Sequence, residues 1–88
     1  MAHTNTHQSR ARDRIKQMVR RVVLIAEGKS TRKGLEMILA RNIPSARKHL
    51  DFLEGDLRAE LEEKYQWAKA KLLAVDPETL PEEKNLEA

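Results

Sequence analysis

Eighty-eight residues with a formal net charge of +3 hold one small domain at most, and the lack of cysteine excludes both a disulfide framework and a thiolate zinc site. Aromatic residues are 3% of the chain, so the core has to be aliphatic, and a core that small favours oligomerisation, most simply as a homodimer. No apolar run nears the roughly 20 residues that cross a bilayer, and no secretory signal is legible, which together point to a cytoplasmic protein.

Residues 1–8 (MAHTNTHQ) are polar and aperiodic and read as a disordered arm. A first helix is expected from Arg10 to Glu27, with Ser9 as N-cap and Gly28 in the C′ position. Ile15, Met18, Val19, Val22, Ile25 and Ala26 recur there at spacings of three and four and make one apolar stripe. Arg10, Arg12, Arg14, Lys16, Arg20 and Arg21 occupy much of the remaining surface. The run 22–25 taken alone fits a buried strand, but the pattern before it is helical. An organelle transit peptide over 9–28 would remove a helix that the small core needs.

Ser30 can cap a second helix over about 31–41, with Leu35, Ile38 and Leu39 on its apolar side. Pro44 disfavours helical geometry at Ile43, which predicts a tight turn at Asn42-Ile43-Pro44. A long third helix follows, from about Ser45 to Val75. Ala46, Leu50, Leu53, Leu57, Leu61, Tyr65, Ala68, Leu72 and Val75 succeed one another at steps of three or four. Gly55 sits off this stripe and marks a bend or a break. A helix of about 31 residues would be roughly 46 Å long, more than the first two helices can cover. Leu57, Leu61, Tyr65, Trp67, Ala68 and Leu72 are therefore expected to face another chain. Residues 76–88, with Pro77 and Pro81, read as an acidic, disordered tail. The architecture is all-α: a helical domain over 9–75 whose second and third helices form a helix-turn-helix-like pair.

Charge is divided unevenly along the chain. Residues 1–48 carry 12 Lys and Arg against 3 Asp and Glu, whereas residues 49–88 carry 5 against 11. Such asymmetry points to a polyanion-binding end and a separate acidic end. In a helix-turn-helix the second helix opens against base edges. Arg47 and Lys48 would read bases, Ser45 at the helix start would take a phosphate, and Arg32, Lys33 and Arg41 would hold the DNA backbone. Arg10, Arg12, Arg14, Arg20 and Arg21 on the first helix would add salt-sensitive phosphate contacts. An ordinary helical hairpin has the same grammar, and the acidic third helix is a competing partner for these cations.

Other chemistry is excluded on similar grounds. Glu27-Gly28-Lys29-Ser30-Thr31 resembles the end of a phosphate-binding loop, but the required upstream glycine position is Val23 and the chain has no room for the parallel sheet that such a loop serves. His3 and His7 lack a carboxylate or thiolate partner, and His49 is isolated near Asp51, so neither a metal site nor a catalytic triad is assigned. No cofactor and no enzymatic activity are expected. Two readings follow. One is a small DNA-binding regulator that dimerises through its third helix, with double-stranded DNA favoured over RNA because exposed stacking aromatics are scarce. The other is a protein–protein interaction module, such as an inhibitor, an adaptor or antitoxin-like partner, or a small subunit of a nucleic-acid-handling complex.

Overall fold

A computed structural model describes the backbone of residues 2–82 and the side chains of residues 6–82. Among these residues the chain is all-helical, without a strand. Helix α1 spans Ala2–Ala26, α2 Arg32–Met37, α3 Ile43–Leu50 and α4 Gly55–Leu73, with a π-helical segment Ile38–Asn42 joining α2 to α3. Residues 32–50 are thus one helical arm, and the fold is an up-down-up arrangement of three arms. The arm 32–50 runs back along α1, as contacts of His7 with His49, Arg14 with Ser45 and Gln17 with Asn42 show. α4 then runs forward beside α1, and both of its neighbours pack on it.

Helix α1 ends as its sequence predicts. Gly28 has φ +73°, the amide of Lys29 donates to the Leu24 carbonyl and that of Gly28 to the Ile25 carbonyl, which together form a Schellman motif. Its start differs from the expectation. The helix begins at Ala2, so residues 2–8 are helical where the sequence predicts a disordered arm, and Ser9 lies inside the helix. The reason is tertiary. Ala11 is fully buried, and one turn earlier His7 stacks on Phe52 at 4.0 Å between ring centroids. Apolar periodicity misses a turn held by a histidine. Met1 lies outside the described residues.

The expected tight turn at Asn42-Ile43-Pro44 is a widening of a continuous helix. Proline has no N–H to give to the carbonyl four residues back, and its ring crowds that carbonyl. The chain absorbs this one step earlier: the Ile43 amide donates to the Ile38 carbonyl, five residues back, and backbone angles stay helical. The cap of α2 is Thr31, whose Oγ1 accepts from the Gly34 amide at 3.0 Å, instead of the expected Ser30.

The predicted long third helix is broken at Gly55. That residue has φ +74°, and Glu54 before it is extended. The break lets α4 fold back along α1, so the stripe that a straight helix would leave uncovered is inside. Leu61, Tyr65, Ala68 and Leu72 are buried with Ala11, Ile15, Met18, Leu35, Ala46, Leu50 and Leu53, and Leu57 packs against them. Nothing lies within 4 Å of a Cβ built on Gly55. Gly55→Ala is therefore expected to destabilise by about 1 kcal/mol through backbone strain alone, measured by the urea midpoint.

The segment after α4 also returns to the body. Leu80 is buried, the Pro81 carbonyl accepts from the Arg32 amide at 2.8 Å, and the Arg32 guanidinium donates to the carbonyls of Pro77 and Leu80. Residues 76–82 are thus ordered by α2 where the sequence predicts a disordered tail, and 83–88 lie outside the described residues.

Candidate functional site

The residues predicted to meet nucleic acid divide into two groups. The first is used inside the protein. Arg47 makes a two-pronged pair with Glu62 at 2.7 and 2.8 Å, reaches Asp51 at 3.1 Å, and lies 5.2 Å from the centre of the Tyr65 ring. Hydrogen bonding to Arg47, then to Gln66, holds the Glu62 carboxyl well below its ordinary range, at about 2. The same pairing raises the Arg47 guanidinium against the opposing effect of burial. Arg47 is a clamp between α3 and α4, with its fork engaged by Glu62 and Asp51. Ser45 accepts from Arg14 Nε at 3.1 Å and sits on the third residue of α3, with no open helix start beneath it. Arg21 donates to the buried Ser30 Oγ at 3.1 Å and lies close over Gly34, its Nε buried without a partner among the described residues. Arg32 holds the returning 77–81 segment.

The second group is exposed. Arg10, Arg12, Arg20, Lys33, Arg41 and Lys48 face solvent, and so does Lys16. None of these seven makes a hydrogen bond or an ion pair among the described residues. Arg12, Lys16 and Arg20 recur every four residues on one side of α1, whereas Arg10 and Lys48 lie toward the end where His7 meets His49.

The predicted interface residues divide as well. Leu61, Tyr65, Ala68 and Leu72 belong to the chain's own core, with Leu61 reaching the surface only at the floor of a groove, and Leu57 is partly buried. Trp67 remains at the surface, 48% exposed, next to Val23 at 46%. Both line an open groove of about 900 Å³ between α1 and α4. Ile15, Val19 and Leu61 contribute to its floor, Arg12, Lys16 and Arg20 rim its α1 side, and Glu60, Glu63 and Lys64 its α4 side. The groove exists because α1 has more apolar residues than one stripe can hold. Ile15, Met18 and Val22 face the interior, while Val19 and Val23 lie one step round the helix. The adjacent pair Val22-Val23 is the sequence signal for this second strip, and Lys16, Val19, Val23 and Glu63 are among the groove residues not singled out from sequence as functional.

A third feature sits at the other end. His49 is 7% exposed, and its Nδ1 lies 2.9 Å from Nδ1 of His7, so one ring donates and the other accepts. Burial first, then the nearby His7, Arg10, Lys48 and Arg14, pushes the His49 imidazolium below its usual 6.5. The folded protein thus binds this proton less readily than the unfolded chain does. The contribution to stability is complete above pH 6.5 and is lost as pH falls through the lower folded value. Thermal unfolding of the native chain should shift to lower temperature between about pH 7 and about pH 5, and His49→Asn should flatten that slope.

Comparison with known protein families, with curated proteins and with solved structures finds no match to this chain. No helix among the described residues is long and apolar enough to cross a membrane, and no group of three metal-ligating side chains occurs among them. The features left to carry a function are the groove and the free cations.

Proposed function

We propose that this chain is a small helical protein–protein interaction domain that binds through the α1–α4 groove. The observation that carries the reading is Trp67, half exposed over an apolar floor. A chain with a lean core leaves its largest apolar side chain half exposed in an open groove, where burying the indole against a partner would remove a large apolar surface from water. Trp is also the residue type most enriched among binding anchors. The rim carries both charge signs, which suits a protein surface; Glu60 and Glu63 would repel a nucleic acid at this place. Neither this reading nor the next assigns a chemical step to the chain, and the absence of cysteine fits a cytoplasmic setting for both.

A photo-crosslinking residue in place of Trp67 tests the reading in the cells that make the protein. A discrete covalent adduct from position 67, with none from the exposed position Glu36, is the expected result. No adduct from position 67 would overturn it.

Seven exposed cations within residues 10–48 that have no side-chain partner among the described residues favour a second reading, a DNA-contacting regulator that binds phosphates without reading sequence. Under it, labelled duplex anisotropy rises at low salt, the affinity falls steeply as salt is added, and Lys48→Ala weakens binding while Arg47→Ala does not. Absence of binding at low salt would remove this reading.

A further inference from the structure

Resting on the interaction reading, we propose that the occupant of the groove is a second copy of this chain, related to the first by a two-fold axis running along the groove. Charge and register both favour it. α1 and α4 run in the same direction, with His7 of α1 level with Phe52 just before α4. The groove is lined in chain order by Arg12, Lys16 and Arg20 on α1 and by Glu60, Glu63, Lys64 and Trp67 on α4, so with the helices parallel Arg12 lies toward the Glu60 end and Arg20 toward the Trp67 end. One bank is therefore basic over two helical turns, and the other presents acids at the matching height.

Two face-to-face copies can be related by an axis across the groove or an axis along it. The axis across lays α1 antiparallel on α1, which puts Arg12 opposite Arg20 and Lys16 opposite Lys16. Like charges would then meet along the whole α1 pair. The axis along the groove lays α1 on the second copy's α4, parallel and in register. Arg12 then faces Glu60, Lys16 faces Glu63, and Arg20 comes beside Trp67, whose ring already has Lys71 Nζ at 6.0 Å from its centre. Lys64 shares this bank, but the two acids outweigh it and the bank stays acidic. Each contact occurs twice, because the interface is isologous. Val23, Val19 and Trp67 of both copies close the centre.

The surface available is modest. The 19 residues of α4 give a face about 28 Å long, and two helices side by side are about 20 Å wide. That is on the order of 560 Å² per copy, at the low end for specific interfaces, so a reversible, concentration-dependent dimer is expected.

The test is sedimentation equilibrium of the full chain over a wide concentration range, with Arg12→Glu and Glu60→Arg. Both positions are exposed, so neither substitution should disturb folding, which circular dichroism checks. The native chain should pass from monomer to dimer with rising concentration, and each variant alone should weaken the dimer about tenfold or more. An equimolar mixture of the two variants should regain native affinity. In that heterodimer the introduced glutamate of one copy faces the introduced arginine of the other, and the native contact of Arg12 with Glu60 survives on the second side. Rescue by mixing has no intramolecular explanation. A native chain that stays monomeric up to the millimolar range overturns the proposal, as does a dimer indifferent to both substitutions or one that mixing does not restore. The crosslinked adduct separates this failure from failure of the interaction reading. An adduct at twice the 10.2 kDa chain mass supports a second copy, an adduct of another mass keeps the groove but removes the second copy, and no adduct removes both.

Discussion

Tyr65→Ala is expected to destabilise the isolated monomer by about 3–5 kcal/mol, lowering the urea midpoint by the same amount at every protein concentration. Tyr65 is 1% exposed and heads the large side chains that are fully buried. Arg47 and Lys69 lie over its ring at 5.2 and 5.6 Å, so truncation opens a cavity and also removes the surface on which two cations rest. A domain of this size has total stability of roughly 4–13 kcal/mol, which makes the loss a large share of the whole. Trp67→Ala is the control. Two positions further along the same helix but 48% exposed, it should change monomer stability by under about 1 kcal/mol. Concentration dependence of the Tyr65→Ala effect would mean that Tyr65 supports assembly and would contradict the packing described.

Arg47→Ala should cost about 1–2 kcal/mol at neutral pH. The two-pronged pair with Glu62 is charge-assisted on both sides, but the partners remain 33% and 27% exposed, so solvent screens it. The loss should depend on pH in a specified direction. Glu62 titrates at about 2 in the fold against an ordinary 4.5. Its contribution is therefore complete above pH 4.5 and disappears as pH falls toward 2. The difference in unfolding free energy between native and variant should be largest at neutral pH and shrink between pH 4.5 and pH 2. Urea unfolding at about pH 7, 4.5 and 3 measures it, and a difference constant with pH would remove the pair as the cause. This acid-side effect is separate from that of His49, which lies below pH 6.5 and does not require Arg47.

Arg47, one of the two base readers expected from the sequence, and Ser45, the expected phosphate contact, are both used internally by the fold, whereas Lys48 stays exposed. The type and spacing of Arg47 suited both roles, because a guanidinium forks equally well onto guanine and onto a carboxylate. What decided between them was Glu62, 15 residues away, and its arrival depended on where α4 turned back. Arg32 is a similar case, drawn onto the carbonyls of a segment that reads as tail in sequence.

Helical class, the apolar stripe of α1, its glycine stop and the stripe from Ala46 to Leu72 were all determined by the sequence alone, because local periodicity and a left-handed glycine are properties of neighbouring residues. Which side of each stripe another helix would cover was decided only by the tertiary structure. Gly55 allowed a straight helix or a reversal, and the reversal turned an expected partner surface into core, leaving Trp67 and Val23 outside. Pro44 allowed a turn or a π-helical widening, and continuous packing of residues 32–50 along α1 gave the widening. In each case the local preference was within about 1–3 kcal/mol of its alternative, and burial of a shared core outweighs a difference of that size.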